Sequence, residues 1–277
     1  MLIALIIVIG ILAGGIVNAL ADDLPRRRRP RTPHYPDGTP RPLSAWLGLT
    51  AFLLGKRRAP SGSKLPWRYP LTEIATAALM VMVVLVTEDD RTIDLTMTTL
   101  QFIFWLIYMP IFVLITVIDL EHRLILFVVI IPSGVIALLD ALTTDYGADI
   151  GQAIIGGAVG FGVFFLLYLG GFVFTYLLGK ARGQPIDEVA FGYGDVMLIT
   201  LSGLILGWQP LIIAIFVTVF LGAAGAILYL VVRGMTRKHY SMFTPLPYGP
   251  YIVLGTLFML LFSIEVSRLL RAPTPPM

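Results

Sequence analysis

Apolar residues gather along this chain into eight runs, most of them near the 20 helical residues needed to cross a hydrocarbon core of about 30 Å. They cover approximately residues 2–20, 70–87, 97–118, 124–142, 152–178, 196–207, 210–232 and 250–268. The sixth is short, and Gly207, Trp208, Gln209 and Pro210 behind it predict a tight re-entry. The pattern predicts an all-α, polytopic membrane protein of about eight transmembrane helices. Ala19, Leu20 and Ala21 imitate a signal-cleavage site, but Met1, Leu2 and Ile3 supply no basic region in front of the first run, which reads as a retained helix. No internal repeat of fixed period stands out.

The polar segments set the expected orientation. Residues 21–69 hold Arg26, Arg27, Arg28, Arg29, Arg31, Arg41, Lys56, Arg57, Arg58, Lys64 and Arg68, whereas the next loop, TEDDRTID, is acidic. By the positive-inside rule the long basic loop is cytoplasmic and the N-terminus lies outside. Alternation then places 119–123, 179–195 and 233–249 in the cytoplasm too, where Lys180, Arg182, Arg233, Arg237 and Lys238 fall, and puts both termini outside. Arg268 and Arg271 in the terminal tail run against the rule. The long loop is rich in proline, arginine and glycine and shows too little periodicity for a firm core, although Pro42 to Gly55 has the composition of an apolar segment lying along the interface. Its arginines read as an anchor beside anionic lipid, and no nucleic-acid partner is expected.

Composition agrees. With 57% hydrophobic and 13% charged residues and a mean hydropathy of +0.87, the chain lacks the polar surface a soluble globule of 277 residues requires. It has no cysteine, and His34, His122 and His239 are scattered, so neither a disulfide framework nor a metal site is expected.

Two carboxylates stand where charge is costly. Asp119 ends the third run in ITVIDLEHR, and Asp195 opens the sixth in GYGDVMLI. Two runs lie between them, and an even number of crossings returns both to one face. Each has an ordinary explanation: Asp195 as a helix cap, Asp119 as an interface anion paired with Arg123. Capping leaves Gly192 and Gly194 unexplained, while glycines before a carboxylate suit the close approach of another backbone. Two carboxylates sharing one proton hydrolyse a peptide bond without metal, serine or cysteine, one activating water and the other protonating the leaving group.

GYGDVML resembles the GxGD motif of intramembrane aspartyl proteases, and its setting resembles the type IV prepilin leader peptidases. VIDLEHRLI resembles that family's first catalytic segment, GDVMLITLSGLILGWQ its second, and LPYGPYIVLG its closing signature. GILAGGIVNALADDLP and WRYPLTEIATA resemble the first span and the opening of the second. The resemblance implies an aspartic endopeptidase of the plasma (inner) membrane, its active site facing the cytoplasm, with Asp119 and Asp195 as the catalytic pair. Gly192 and Gly194 would open the backbone beside Asp195, and Pro247, Gly249 and Pro250 would shape the adjacent wall. The partners implied are the bilayer and prepilin-like membrane substrates with a basic leader; the charge of Glu121, Asp187 and Glu188 suits attraction of such a leader and a solvated loop face equally well. Implied domains are 1–95 (first span, basic loop, second span), 96–270 (peptidase membrane domain) and 271–277 (tail).

Departures from the family pattern also shape the expectation. Many members carry two Cys-x-x-Cys pairs that hold zinc in the first loop; here no zinc is expected, so the loop is held some other way or stays loose. Leu126 and Phe127 stand where Pro-Asp is common, and Met197 where lysine is. Bifunctional members also methylate the product's new N-terminus with S-adenosylmethionine, although proteolysis itself calls for no cofactor. Glu73 in RYPLTE is the carboxylate to test for methyl transfer, its alternative being an interfacial anion beside Arg68. The competing readings are a proton- or cation-coupled transporter, which would favour carboxylates at the bilayer midplane, and a catalytically silent pilus or secretion assembly protein.

Overall fold

The computed structural model describes residues 1–88, 98–182, 192–235 and 247–270. Nine α-helices lie among them: α1 (Leu2–Asp23), α2 (Gly48–Leu53), α3 (Arg68–Glu88), α4 (Thr99–His122), α5 (Phe127–Thr143), α6 (Ile150–Arg182), α7 (Tyr193–Leu206), α8 (Trp208–Met235) and α9 (Gly249–Leu270). All but α2 coincide with the eight apolar runs, and only two isolated β-bridges occur among the described residues, so the all-α expectation holds. Six helices are long and apolar enough to cross a membrane; α5 and α7, at 17 and 14 residues, are shorter. The protein is a multi-pass membrane protein.

The chain forms two compact units, Met1–Val129 and Ile130–Met277. In hydrocarbon the hydrophobic effect does not press helices together, so they associate where small residues let backbones close in. The first unit follows this rule where α1 crosses α3: a Cβ added to Gly10 would lie 2.5 Å from the Ala77 Cα, and one on Gly14 2.5 Å from the Glu73 Cα. The buried side chains Tyr108, Phe112 and Ile118 line the inner face of α4, which packs on both helices.

The second unit applies the same rule to α6 and α7. A Cβ on Gly156 would stand 2.9 Å from the Gly207 Cα, and one on Gly160 2.7 Å from the Ile199 carbonyl. Gly203 in turn faces the Gly156 carbonyl with no room for a side chain. A buried bond from Thr256 Oγ1 to Ser202 Oγ (2.7 Å) ties α7 to α9. On the other side of α9, Gly255 and Gly225 admit Thr218 and Tyr251 along the seam with α8. Asp195, near the start of α7, is thus carried by a helix fixed on two sides.

The basic loop departs from expectation, because it is firmly built. Tyr35, Ala45, Ala51, Ala59, Leu65 and Tyr69 form a small buried core, and α2 packs against α3. Two turns spaced 24 residues apart are equivalent bond for bond. In the first, the Tyr35 amide donates to the Thr39 carbonyl (2.8 Å) and Gly38 to Tyr35 (2.8 Å); in the second, Ala59 donates to Ser63 (2.8 Å) and Gly62 to Ala59 (2.9 Å). Each carries Pro-x-Gly, and Gly38 and Gly62 have φ of +88° and +90°, the left-handed backbone that glycine adopts without cost. The equivalent residues Asp37 and Ser61 hydrogen-bond to each other across the pair. A local repeat therefore exists where none stood out in the sequence, since only proline and glycine recur identically.

Arginine packing completes the loop. The Arg57 guanidinium lies 4.7 Å from the centre of the Phe52 ring and donates to the Leu65 carbonyl (2.7 Å), and Arg41 lies 4.6 Å over Tyr69. Burial holds Arg41 below its ordinary pKa. Asp23 closes the base with an ion pair to Arg31 at 2.9 Å.

Two outcomes test this framework. Gly203→Ala forces a methyl group into the Gly156 backbone and is expected to destabilise the protein by about 1–3 kcal/mol, read from thermal unfolding in detergent. Bonds from Ser61 and Thr39 hold the Asp37 carboxyl below its usual range. A depressed carboxyl stabilises the fold above its unfolded pKa of about 3.9 and loses that contribution as pH falls through the lower folded value. Protection of the Tyr35 and Ala59 amides from hydrogen exchange should therefore drop on acidification below about pH 4, and the drop should be absent in Asp37→Asn, which lacks the titrating group.

Candidate active site

Asp119 sits in the last turn of α4 and is 5% exposed. The helix starts at Thr98, whose hydroxyl accepts from the Gln101 amide (3.2 Å). It ends at Arg123, which adopts a left-handed φ of +55° and donates its amide to the Asp119 carbonyl (2.8 Å). The helix continues past Asp119, so this carboxylate lies at the carbonyl end of the macrodipole, where negative charge is disfavoured.

Asp195 sits in the opposite electrostatic setting. It is the third residue of α7, half-buried in the first turn, and its Oδ2 accepts from the Gly192 amide (3.2 Å). The capping role is therefore real. Gly192 has an extended backbone (φ −82°, ψ 146°), so the turn does not require glycine. Among the described residues a Cβ there would meet Asp195 Oδ2 at 3.5 Å and the Gly194 amide at 3.9 Å. Gly192 is exposed and Gly194 half-buried beside the carboxylate. Tyr193, between them, sets its ring edge-on to Tyr168 of α6 at 5.7 Å.

The closing segment reaches the same end of the second unit. Pro247 and Tyr248 precede α9, Gly249 is its buried first residue, and Pro250 stands in the first turn, where a missing amide costs nothing. The Tyr248 carbonyl accepts from Tyr251 (3.0 Å) and Ile252 (3.3 Å). Its ring fills the space over Gly222 of α8, where an added Cβ would lie 2.7 Å from Cε2. Burial, and then the charge of Asp195, push its phenol above the ordinary value, so it stays protonated at neutral pH. Tyr248 is the functional candidate that sequence reading passed over. Its one signal was an aromatic enclosed between Pro247 and Gly249.

Glu73 is fully buried. Its Oε1 accepts from the Gly48 amide and from Asn18 Nδ2 (3.3 Å), and its Oε2 from the Leu49 amide (2.8 Å), so it closes the start of α2. Arg68 pairs instead with Asp22 and with Glu121 (2.8 Å), not with Glu73. Asp187 and Glu188 lie outside the described residues. Among the described residues no group of three or more potential ligands is placed to hold a metal ion.

The prepilin leader peptidase/N-methyltransferase of Aeromonas salmonicida (strain A449) is 31% identical to this chain over 228 residues, which are 82% of this chain and 67% of that protein. The chain belongs to the type IV leader peptidase family. The family's sequence model matches residues 102–227, a segment that contains both Asp119 and Asp195. Other leader peptidase relatives are the prepilin leader peptidase/N-methyltransferases of Aeromonas hydrophila, at 30% identity over 82% of this chain and 68% of that protein, and of Pseudomonas aeruginosa, at 25% over the same shares. No solved structure matches the chain.

Glu73 gives the prediction that separates a structural carboxylate from a reactive one. Glu73→Ala removes the acceptor of two backbone amides and should cost about 1–3 kcal/mol for each donor left buried without a partner. Thermal unfolding and protease nicking between residues 42 and 66 would both report it. Glu73→Gln keeps one acceptor and should fall between the two.

Proposed function

We propose that this leader peptidase is an aspartic endopeptidase that removes the leader of prepilin-like membrane proteins at the cytoplasmic face of the plasma (inner) membrane, with Asp119 and Asp195 as its catalytic pair. The observation that carries the reading is that each carboxylate occupies a helix end inside the segment that the family model matches. With α5, of 17 residues, and α6 each taken to cross the bilayer, an even number of crossings would bring both helix ends to the face of the basic loop.

The chemistry follows from their unlike settings. Asp119 is buried at the carbonyl end of α4, whereas Asp195 stands half-buried at the amino end of α7. A pair of this kind holds one proton between them. The ionised member takes a proton from water as its oxygen bonds to the scissile carbonyl carbon. The protonated member then delivers its proton to the leaving nitrogen as the C–N bond breaks. Tyr248, neutral beside Asp195, offers a hydrogen-bond donor at this end of the unit. Gly192 and Gly194 admit the extended substrate backbone, and Pro247, Gly249 and Pro250 shape the wall next to it. A transporter is the weaker reading, because these carboxylates stand at helix ends, not at the middle of a span.

The relatives' names include N-methyltransferase, and S-adenosylmethionine is the donor the resemblance implies. Glu73 does not fit a methyl-transfer role: it is fully buried and both oxygens are engaged by Gly48, Leu49 and Asn18. We assign it to holding the loop, and no methyl-transfer step is derived.

The test is co-expression with a prepilin-like substrate. Asp119→Asn and Asp195→Asn should each abolish the shortened product, a loss of at least about a thousandfold, while the protein still inserts in the membrane. Normal processing by either variant ends the pairing. Mass analysis of the product's first residue then reads methylation, an unmodified amine in the presence of the donor reducing the activity to proteolysis.

A further inference from the structure

Arg68 is the centre of the polar network in the first unit. It opens α3, lies 4.4 Å over the ring of its neighbour Tyr69, and joins two carboxylates on two other helices, Asp22 near the end of α1 and Glu121 near the end of α4. The two pairs are unequal. The Arg68 and Asp22 side chains are each 13% exposed, and Asp22 is backed by the Tyr69 hydroxyl (2.9 Å). Glu121 is 38% exposed and holds Arg68 at the rim. Arg68 therefore keeps a shielded counter-ion if Glu121 turns elsewhere. An exposed pair contributes only about 0–1 kcal/mol, so the exchange costs little.

The surroundings make Glu121 unusual. From Leu24 to Arg68 the sole acidic residue is Asp37, and it is spent on Thr39 and Ser61 between the two equivalent turns. A cationic chain approaching this basic surface finds at Glu121 an exposed carboxylate, and the guanidinium already seated there shows which chemistry it takes. Glu121 follows Asp119 by two residues, which places it about 200° further round the helix and about 3 Å along it. Rounding a helix about 10 Å wide by that angle is an arc of about 17 Å, or about five residues of extended chain.

We propose that Glu121 is the specificity residue that reads a lysine or arginine on the leader side of the scissile bond, and that Arg68 is its resident counter-ion, displaced when substrate binds. This rests on the leader-peptidase reading and adds to it a residue for the leader's charge. The cation it selects lies about four to six residues from the cleaved bond, from the helix geometry above. Asp119 has no part in the exchange, so the effect falls on binding and not on the chemical step.

The experiment uses the full chain in membranes with two synthetic substrates, one with a basic leader and one with those cations replaced by glutamate. Glu121→Gln should raise KM for the basic substrate about threefold to fivefold while kcat stays within about twofold, as expected for loss of one exposed charge contact. Glu121→Lys should reverse the preference and cleave the acidic leader with the lower KM. That rescue by the substrate is an outcome a purely structural ion pair does not give. If Glu121→Lys fails to insert, the salt dependence of KM decides: it should be steep for wild type and flat for Glu121→Gln. Equal KM for wild type and Glu121→Gln, or a fall in kcat with KM unchanged, would overturn the assignment. Cleavage of neither substrate by wild type would overturn the leader-peptidase reading itself.

Discussion

Backbone contact at glycine is the constraint on which this structure depends. Lipid surrounds the helices with a medium as apolar as their own side chains, so burial of leucine against leucine brings little gain, and attraction comes from atoms that approach closely. Gly156, Gly160 and Gly203 seat α7 on α6 with carbonyls almost touching, and Gly10 and Gly14 do the same for α1 on α3. Asp195 inherits its position from the first seam, and Glu73 its enclosure from the second. The carboxylates are placed by residues that have no side chains.

Helix ends supply the electrostatics. A peptidase based on two acids needs one to hold a proton that the other lacks, and identical side chains cannot differ unless their settings do. Asp119 is buried at the carbonyl end of α4, while Asp195 accepts an amide in the first turn of α7. The sequence places each at the edge of an apolar run but says nothing of depth or direction. The Tyr248 phenol, raised by burial and by Asp195, adds a neutral donor held by α8 and α9.

Much of this was legible in the residues, and the reason is the strength of the 20-residue apolar period. The eight runs became eight helices with bounds shifted by a few residues, and ordered motifs pointed to the family that the relatives then showed. Tyr248 was missed because its relation to Asp195 arises from packing between helices more than 40 residues apart, where no local spacing is informative. The basic loop was misread for a different reason. Its order comes from two turns that share only Pro-x-Gly, from guanidinium faces on Phe52 and Tyr69, and from a carboxylate that arrives from α3. None of these leaves a hydrophobic period. Arginine, which reads as solvated charge in sequence, here serves as packing material.

Glu73 and Asp195 show why residue type alone does not separate a structural acid from a reactive one. Each stands at the start of a helix and accepts backbone amides, Glu73 from α2 and Asp195 from Gly192 in front of its own helix. Glycine decides between them by what it admits. Gly14 brings α1 down onto the Glu73 backbone, and Gly15 lies where a Cβ would be 4.0 Å from its Oε1, so the carboxylate is sealed with both oxygens occupied. Gly192 is exposed, and among the described residues a Cβ there would touch little beyond Asp195 itself. The same residue type encloses one carboxylate and flanks the other, and that difference fits the holding role of Glu73 and the proposed role of Asp195 in chemistry.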